Sequence, residues 1–227
     1  MNGSTNSPLD AIYAFASGPL VWIAFAGFAA GVAYKLVTMA SLAKREKIVF
    51  PTMSAKYGGR SILHWIIPFA SRNTRLRPVF TIVSFAFHIS LLVTPLFVMG
   101  HAVLWEQSRW NISWWSLPPG LATFMTLVVI VACLFFGIRR LAAPEVRNVS
   151  DWKDFALVLL VVSPFLTGFI AHMQWLPSKV MLTLHIICGA LWLLAIPFTR
   201  LSHMFWFVFT RAYMGSEFGA VRKARDW

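Results

Sequence analysis

Histidine is the residue type in this 227-residue chain that offers the most specific chemistry. Six histidines are present, and all but the first lie within or at the ends of long apolar stretches: His64, His88, His101, His172, His185 and His203. An ionisable side chain is costly in hydrocarbon and usually marks a functional position. Neutral imidazole is also a strong metal ligand. These histidines therefore need a chemical explanation.

Acidic and thiol groups exclude several explanations. No Asp or Glu lies at mid-membrane depth, since Asp154 begins one apolar stretch and Glu106 ends another. A proton pump or cation-coupled carrier typically has a buried carboxylate. Cys133 and Cys188 belong to no CxxC or CxxCH motif, which removes iron–sulfur clusters, zinc ribbons and covalent c-type haem. These exclusions leave non-covalently bound haem as an explanation for the histidines, because haem iron takes imidazole as an axial ligand.

The apolar stretches must position the histidines. The chain is 58% hydrophobic and 12% charged, with a mean hydropathy of +0.68, so lipid is its solvent over long stretches. A helix crosses the hydrocarbon in roughly 20 residues. These numbers predict a single-domain, all-α membrane protein, a bundle of five transmembrane helices with short connections. The predicted spans are residues 18–40, 79–105, 118–138, 154–174 and 177–200.

The connecting segments are strongly basic on one side. Residues 43–78 form a connector that includes an apolar piece, Ser61–Phe69, which is too short to span and is expected to lie at the interface. Together with the loop after the third span, Arg200 and the tail at 201–227, that side holds seventeen Lys and Arg, against Arg109 and Lys179 opposite. The positive-inside rule places the C-terminus in the cytoplasm and the N-terminus in the periplasm. We therefore expect a multi-pass protein of a bacterial inner membrane, and no nucleic-acid partner.

Depth in the membrane pairs four of the histidines. The second span runs outward with His88 in its inner half and His101 in its outer half, while the fifth runs inward with His185 outside and His203 at its inner end. Matching depths predicts the pairs His88–His203 and His101–His185. Each pair would hold one haem b through two imidazoles, and the two haems would form an electron path across the bilayer.

Helical geometry fits the fifth span better than the second. His185 and His203 are 18 residues apart, about five turns, which puts them on one face of a continuous helix. His88 and His101 are 13 apart, which leaves them roughly 140° out of line at about 100° per residue. Pro95 lies between them and can bend or unwind the helix.

Other residues have expected roles around the haems. Gly100 and Gly189 leave space for a flat macrocycle, and Arg200 can pair with a propionate at the inner face. Arg72 or Arg75 of the connector could do the same.

The two remaining histidines have simpler interpretations. His172 fits a hydrogen bond between helices, with a quinone or proton role as the alternative. His64 fits an interfacial position.

Two segments resemble the gamma subunit of respiratory nitrate reductase, a di-haem cytochrome b anchor. FHISLLVTPLFVMGH (Phe87–His101) is similar to its second span, and LHIICGALWLLAIPFTRLSHMF (Leu184–Phe205) to its last. The outer-loop WSLP at Trp115–Pro118 and the basic RRL-AP after the third span also fit. The resemblance covers roughly residues 77–204.

The resemblance implies a five-helix cytochrome b with bis-histidine haems on the same four histidines. Such a subunit passes electrons between a membrane quinone and a partner redox subunit. Two features depart from that family. The interval between His88 and His101 is longer here, and a lysine linked there to quinol binding is replaced around Ala122. The family's quinone site is therefore not carried over.

These inferences predict an electron-transfer subunit of a membrane oxidoreductase, not a self-contained enzyme, that exchanges electrons with menaquinone. Related anchors occur in the high-molecular-weight cytochrome complex of sulfate-reducing bacteria. The expected partners are a cytoplasmic iron–sulfur subunit, other membrane subunits and a periplasmic multihaem cytochrome c. Two alternatives stay open: a haem-free quinone-binding anchor, and a small transporter or channel that uses histidines for protons or metal ions.

Overall fold

The chain is mostly helical in the parts that the structure describes. This computed structural model describes residues 7–45 and 53–226, with the backbone alone at 42–45, and these ranges contain no strand. Part of the predicted connector, residues 46–52, lies outside them. The helices in chain order are α1 (Pro8–Phe15), a π-turn (Ala16–Leu20), α2 (Val21–Arg45), α3 (Ala55–Ile66), α4 (Arg72–Leu76), α5 (Pro78–Phe97), α6 (Met99–Glu106), α7 (Pro119–Ala142), α8 (Pro144–Arg147), α9 (Trp152–Met173), α10 (Ser178–Ala195), a 3-10 turn (Arg200–Ser202), α11 (His203–Ser216) and a second π-turn (Glu217–Val221).

Five helical segments within the described ranges are long and apolar enough to cross a membrane, which confirms the predicted number. They are Pro8–Ser41, Pro78–Glu106, Pro119–Ala142, Trp152–Met173 and Ser178–Ala195. The first begins earlier than the sequence indicated, because Ser7, which precedes Pro8, and Asp10 in the first helical turn form a capping box. The side chain of Ser7 accepts a bond from Asp10 N, and the carboxylate of Asp10 accepts one from Ser7 N.

The fifth span ends sooner than predicted. α10 stops at Ala195, and a turn through Pro197 leads into the 3-10 turn and then α11. Proline lacks the N–H that a continuing helix needs. The helix is therefore not continuous from His185 to His203, and a count of five turns along one helix does not apply to them.

The helices form two compact units. The first comprises Met1–Trp22 and Val83–Trp192, and the second Ile23–Ile82 and Leu193–Trp227. In the first unit α7 packs on α9, around the fully buried Val129. At the end of this pair, Arg140 lies 3.6 Å from the buried carboxylate of Asp154.

In the second unit the interfacial helix α3 packs against α11 at glycines. A Cβ at Gly58 would lie 3.2 Å from the Ala212 backbone, and one at Gly215 would lie 2.5 Å from the Tyr57 carbonyl oxygen and the Ser61 side chain. Glycine lets the two backbones approach this closely. Residues 61–66 of the predicted interfacial piece thus form the C-terminal half of α3, which packs on α11, and residues 67–69 follow the end of this helix.

Candidate functional site

His101 and His185, one of the two predicted pairs, come together in the first unit. Their ring centroids are 5.9 Å apart, and the ring planes differ by 30°. His101 lies on α6 and His185 on α10, and both rings are half-buried. Two imidazole nitrogens bound at about 2 Å on opposite sides of one metal ion put the ring centroids roughly 6 Å apart. The separation therefore suits a shared metal between the rings.

A break in the second span sets the position of His101. Val98 is extended (φ −68°, ψ 133°), three residues after Pro95, and separates α5 from α6. The predicted influence of Pro95 thus takes the form of an interrupted helix. A continuous helix would leave His101 far from the face of His88. Because the helix is interrupted, the direction of the His101 side chain does not depend on the helix face that carries His88.

The break also frees three carbonyl groups, and each finds a new donor. The Pro95 oxygen accepts a 2.7 Å bond from His101 Nδ1. The Leu96 oxygen accepts one of 2.7 Å from Trp114 Nε1, and the Phe97 oxygen accepts one of 2.8 Å from the Leu117 backbone N–H. A carbonyl left unbonded in an apolar setting is costly. The outer loop therefore stabilises the break that orients His101.

His185 is held from a neighbouring helix. Its Nδ1 lies 2.8 Å from the carbonyl oxygen of Pro164 on α9. Gly168, one turn further along α9, permits this approach, since a Cβ there would lie 2.8 Å from His185 Nδ1. Sequence reasoning missed Gly168. Its only signal was a glycine inside an apolar helix, which often marks a close approach between helices.

These bonds determine which nitrogen of each ring carries the proton. A carbonyl oxygen can only accept, so Nδ1 of each neutral ring must be the N–H. Nε2 then keeps its lone pair. Metal-ligating histidines characteristically donate their other ring N–H to a carbonyl or a carboxylate. His101 and His185 are therefore set in the tautomer that binds metal through Nε2.

All four histidines predicted as ligands share this arrangement. Nδ1 of His88 lies 2.7 Å from the Ser84 oxygen, and Nδ1 of His203 lies 2.8 Å from the Arg200 oxygen. Those two bonds are local, three or four residues back, whereas the bonds of the outer pair reach across a helix break or to another helix. Within the described residues, His172 has no such bond to a carbonyl oxygen.

The other predicted pair is divided between the units. His88 belongs to the first unit and His203 to the second, so their pairing stays a prediction. Of the predicted small residues, Gly100 and Gly189 have open space where a Cβ would stand, with no atom within 4 Å. Their suggested role beside a macrocycle also stays a prediction.

The second unit contains a pocket around His203. Its volume is about 480 Å³, and its wall includes Arg200 and His203, two of the predicted site residues. Of the connector arginines proposed as alternatives, Arg75 donates to the carbonyl oxygens of Phe69 and Ala70 at 3.0 and 2.7 Å. The guanidinium of Arg75 therefore binds backbone carbonyl groups of the segment just before it.

No group of three or more His, Cys, Asp or Glu side chains able to hold a metal ion occurs among the described residues. A metal site that needs three or more protein ligands therefore has no support in that part of the chain. A bis-histidine haem needs only two imidazoles, because the porphyrin supplies the other ligands.

The five spans and the helical architecture define a multi-pass helical membrane protein. No family model matches the chain, and no solved structure matches it. A protein of Nitratidesulfovibrio vulgaris (strain Hildenborough) is 32% identical over 216 residues, which cover 93% of this chain and 95% of the relative. The chain belongs to the family of that protein, whose description states no activity.

Proposed function

We propose that this protein is a di-haem b-type cytochrome, the electron-transfer subunit of a membrane oxidoreductase complex. The observation that carries the proposal is the outer pair, His101 and His185, with ring centroids 5.9 Å apart and each Nδ1 bonded to a backbone carbonyl. Two neutral imidazoles on separate helices, both in the Nε2-binding tautomer, are what a bis-histidine haem requires.

The protein's own residues would set ligand orientation and basicity. The carbonyl oxygens of Pro95 and Pro164 hold the two rings and strengthen them as ligands, because they draw on the Nδ1 protons. In a membrane, the apolar helices around the site would exclude water and lower the local dielectric. A haem bound there supplies reversible one-electron chemistry.

The second haem of the proposal is assigned to His88 and His203. Its support is the matching of depths in the sequence, the resemblance of both segments to a di-haem family, and the Nδ1 bonds of both rings. Two haems at different depths would carry electrons across the bilayer.

The cellular setting of the proposal comes from the sequence. The asymmetry of basic residues supports a cytoplasmic C-terminus in a bacterial inner membrane. Menaquinone, a cytoplasmic iron–sulfur subunit, other membrane subunits and a periplasmic multihaem cytochrome c are proposed partners on the strength of the resemblance.

Haem content of the purified chain tests the proposal directly. Pyridine haemochrome quantitation should give two haem b per wild-type chain and one in each of His101→Ala and His88→Ala. His172→Ala is the control, an exposed histidine in the last turn of α9 without the carbonyl bond, and should retain both.

Two other results would contradict the proposal. Absence of a b-type α band from the dithionite-reduced wild-type protein would overturn it and favour the haem-free quinone anchor. Equal haem content in wild type and His101→Ala would contradict the assignment of the outer haem to His101.

A further inference from the structure

Lys35 is a charged residue inside the apolar first span, and its amine has a specific partner. Lys35 Nζ donates a 3.3 Å hydrogen bond to the side-chain oxygen of Ser202, the residue directly before His203. Lys35 is half-buried, and Ser202 is 8% exposed. An ionisable side chain in an apolar helix is costly and usually has a functional reason.

One face of α2 packs against the turn that follows α10. Gly27, Gly31 and Lys35 are spaced by four residues, so they lie on the same side of the helix. A Cβ at Gly27 would stand 2.5 Å from Leu194 Cδ2, and one at Gly31 would stand 2.7 Å from Cγ of the buried Pro197. The two glycines therefore let α2 approach this turn closely.

The same side of α2 also contacts α11 beyond the turn. The ring centroids of Phe28 and Phe205 are 5.7 Å apart. Contacts of α2 thus flank Ser202 on both sides, at Pro197 before it and at Phe205 after it, and all of these residues belong to the second unit. The packing of α2 brings the amine of Lys35 to Ser202.

Ser202 belongs to the 3-10 turn that holds the ring of His203. Its hydroxyl accepts the bond from Lys35 and donates one of 2.9 Å to the Thr199 oxygen. The Arg200 oxygen of the same turn lies 2.8 Å from His203 Nδ1 and also accepts the His203 backbone N–H. The direction of the imidazole therefore depends on the position of this turn, and Lys35 fixes the turn at Ser202.

We propose that Lys35 is a positioning residue for the inner haem, the one assigned to His203, and that it acts by holding Ser202 and the turn that orients the imidazole. The inference rests on the proposed function and extends it to α2, which lies outside the segments that resemble the nitrate reductase subunit. The fixed positive charge of Lys35 would also favour the reduced, more negative haem.

Electron paramagnetic resonance (EPR) and redox titration of the full-length protein test the proposal. Lys35→Met and Ser202→Ala remove opposite ends of one hydrogen bond, whereas Lys35→Arg keeps a charge and donor groups. Lys56→Met is the matched control, because Lys56 is an exposed lysine of the same unit whose Nζ lies 5.8 Å from the ring centroid of Tyr57. The inner haem is identified as the signal that disappears in His203→Ala.

Lys35→Met and Ser202→Ala should each shift the low-spin EPR signal of the inner haem and leave that of the outer haem unchanged. This signal and the potential respond to the orientation and hydrogen bonding of the axial imidazole. The double variant should match Lys35→Met, since both changes remove the same bond. Lys35→Met should lower the inner-haem potential more than Ser202→Ala, because it alone removes a charge.

The conservative variant and the control complete the expected pattern. Lys35→Arg should keep the inner-haem potential closer to the wild-type value than Lys35→Met does, and Lys56→Met should leave signal and potential unchanged. Loss of the inner haem alone from Lys35→Met and Ser202→Ala would support the same conclusion. If Lys35→Met does not accumulate in the membrane, comparison of Ser202→Ala with Lys56→Met decides the question.

Three outcomes would overturn the inference. An inner-haem signal that is unchanged in Lys35→Met and Ser202→Ala, in a protein with two haems, would overturn it alone and leave Lys35 as a lysine that extends its amine to the interface. Additive shifts in the double variant would show that Lys35 does not act through Ser202. Absence of haem from the wild-type protein would overturn the proposed function, and this inference with it.

Discussion

Gly168 on α9 lies so close to the imidazole of His185 on α10 that a Cβ at this glycine would stand 2.8 Å from Nδ1 and 3.0 Å from Cε1. The same Nδ1 bonds to the carbonyl oxygen of Pro164, one turn earlier on α9. The two contacts place the ring against the α9 backbone and determine the direction of its Nε2.

Gly168→Ala should displace the His185 ring and reduce occupancy of the outer haem. The added methyl group must push the ring from its bond to Pro164, at a cost of about 1–3 kcal/mol. Haem quantitation and the low-spin optical spectrum measure the effect. Gly137→Ala is the control, since no atom lies within 4 Å of a Cβ there. Equal haem content in both variants would contradict the positioning role of Gly168.

Trp114→Phe should weaken the helix break that orients His101. The variant removes the donor to the Leu96 carbonyl, and loss of this exposed bond should cost about 0.5–1.5 kcal/mol. We expect a lower melting temperature in detergent and a smaller fraction of outer haem. Trp110→Phe is the matched control, because this exposed tryptophan lies in the same loop and its indole N–H makes no such bond. The prediction fails if the two variants lose haem equally.

Asp154→Asn should destabilise the end of the α7–α9 pair. The carboxylate is 3% exposed, lies 3.6 Å from Arg140 and accepts a 3.1 Å bond from Asp151 N. Loss of its charge should cost about 1–3 kcal/mol. Glu145→Gln removes a carboxylate that is 61% exposed and 3.8 Å from Arg139, and it should change the unfolding free energy by less than about 1 kcal/mol. Thermal unfolding in detergent measures both, and a larger shift for Glu145→Gln would refute the ranking.

Gly215→Ala should separate α3 from α11. Its methyl group would meet the Tyr57 carbonyl oxygen and the Ser61 side chain at 2.5 Å, and a backbone contact cannot yield as a flexible side chain can. We expect destabilisation of about 1–3 kcal/mol, measured as a lower melting temperature. Gly59→Ala on the open side of α3 should instead stabilise by about 0.5–1 kcal/mol. A similar melting temperature for the two variants would show that the contact at Gly215 is not needed.

The number and approximate location of the spans could be predicted from sequence because both depend on local properties. Twenty or so consecutive apolar residues form a helix in lipid whatever their neighbours, since every backbone polar group must be bonded within the segment. The first and last residues of the spans could not be predicted in the same way. The start at Pro8 depends on the capping box, and the end at Ala195 on a proline turn.

The four candidate ligands were also visible in the sequence, because histidine is rare in apolar helices and depth can be counted along a helix. The sequence could not decide in which direction each histidine side chain points. The extended Val98, three residues after Pro95, re-aims His101, and its three freed carbonyls are bonded by groups up to 20 residues away in the chain. Such compensation exists only once the loop is folded.

The sequence by itself determined the class of protein, its helical spans and the residue types available for chemistry, since composition and periodicity act within one segment. Tertiary structure alone decided that His101 and His185 meet, that Gly168 admits the second ring, and that Gly215 lets α11 approach α3. Each of these depends on contact between segments far apart in the chain. Such contacts are selected by packing and hydrogen bonding of the whole fold, which no local pattern contains.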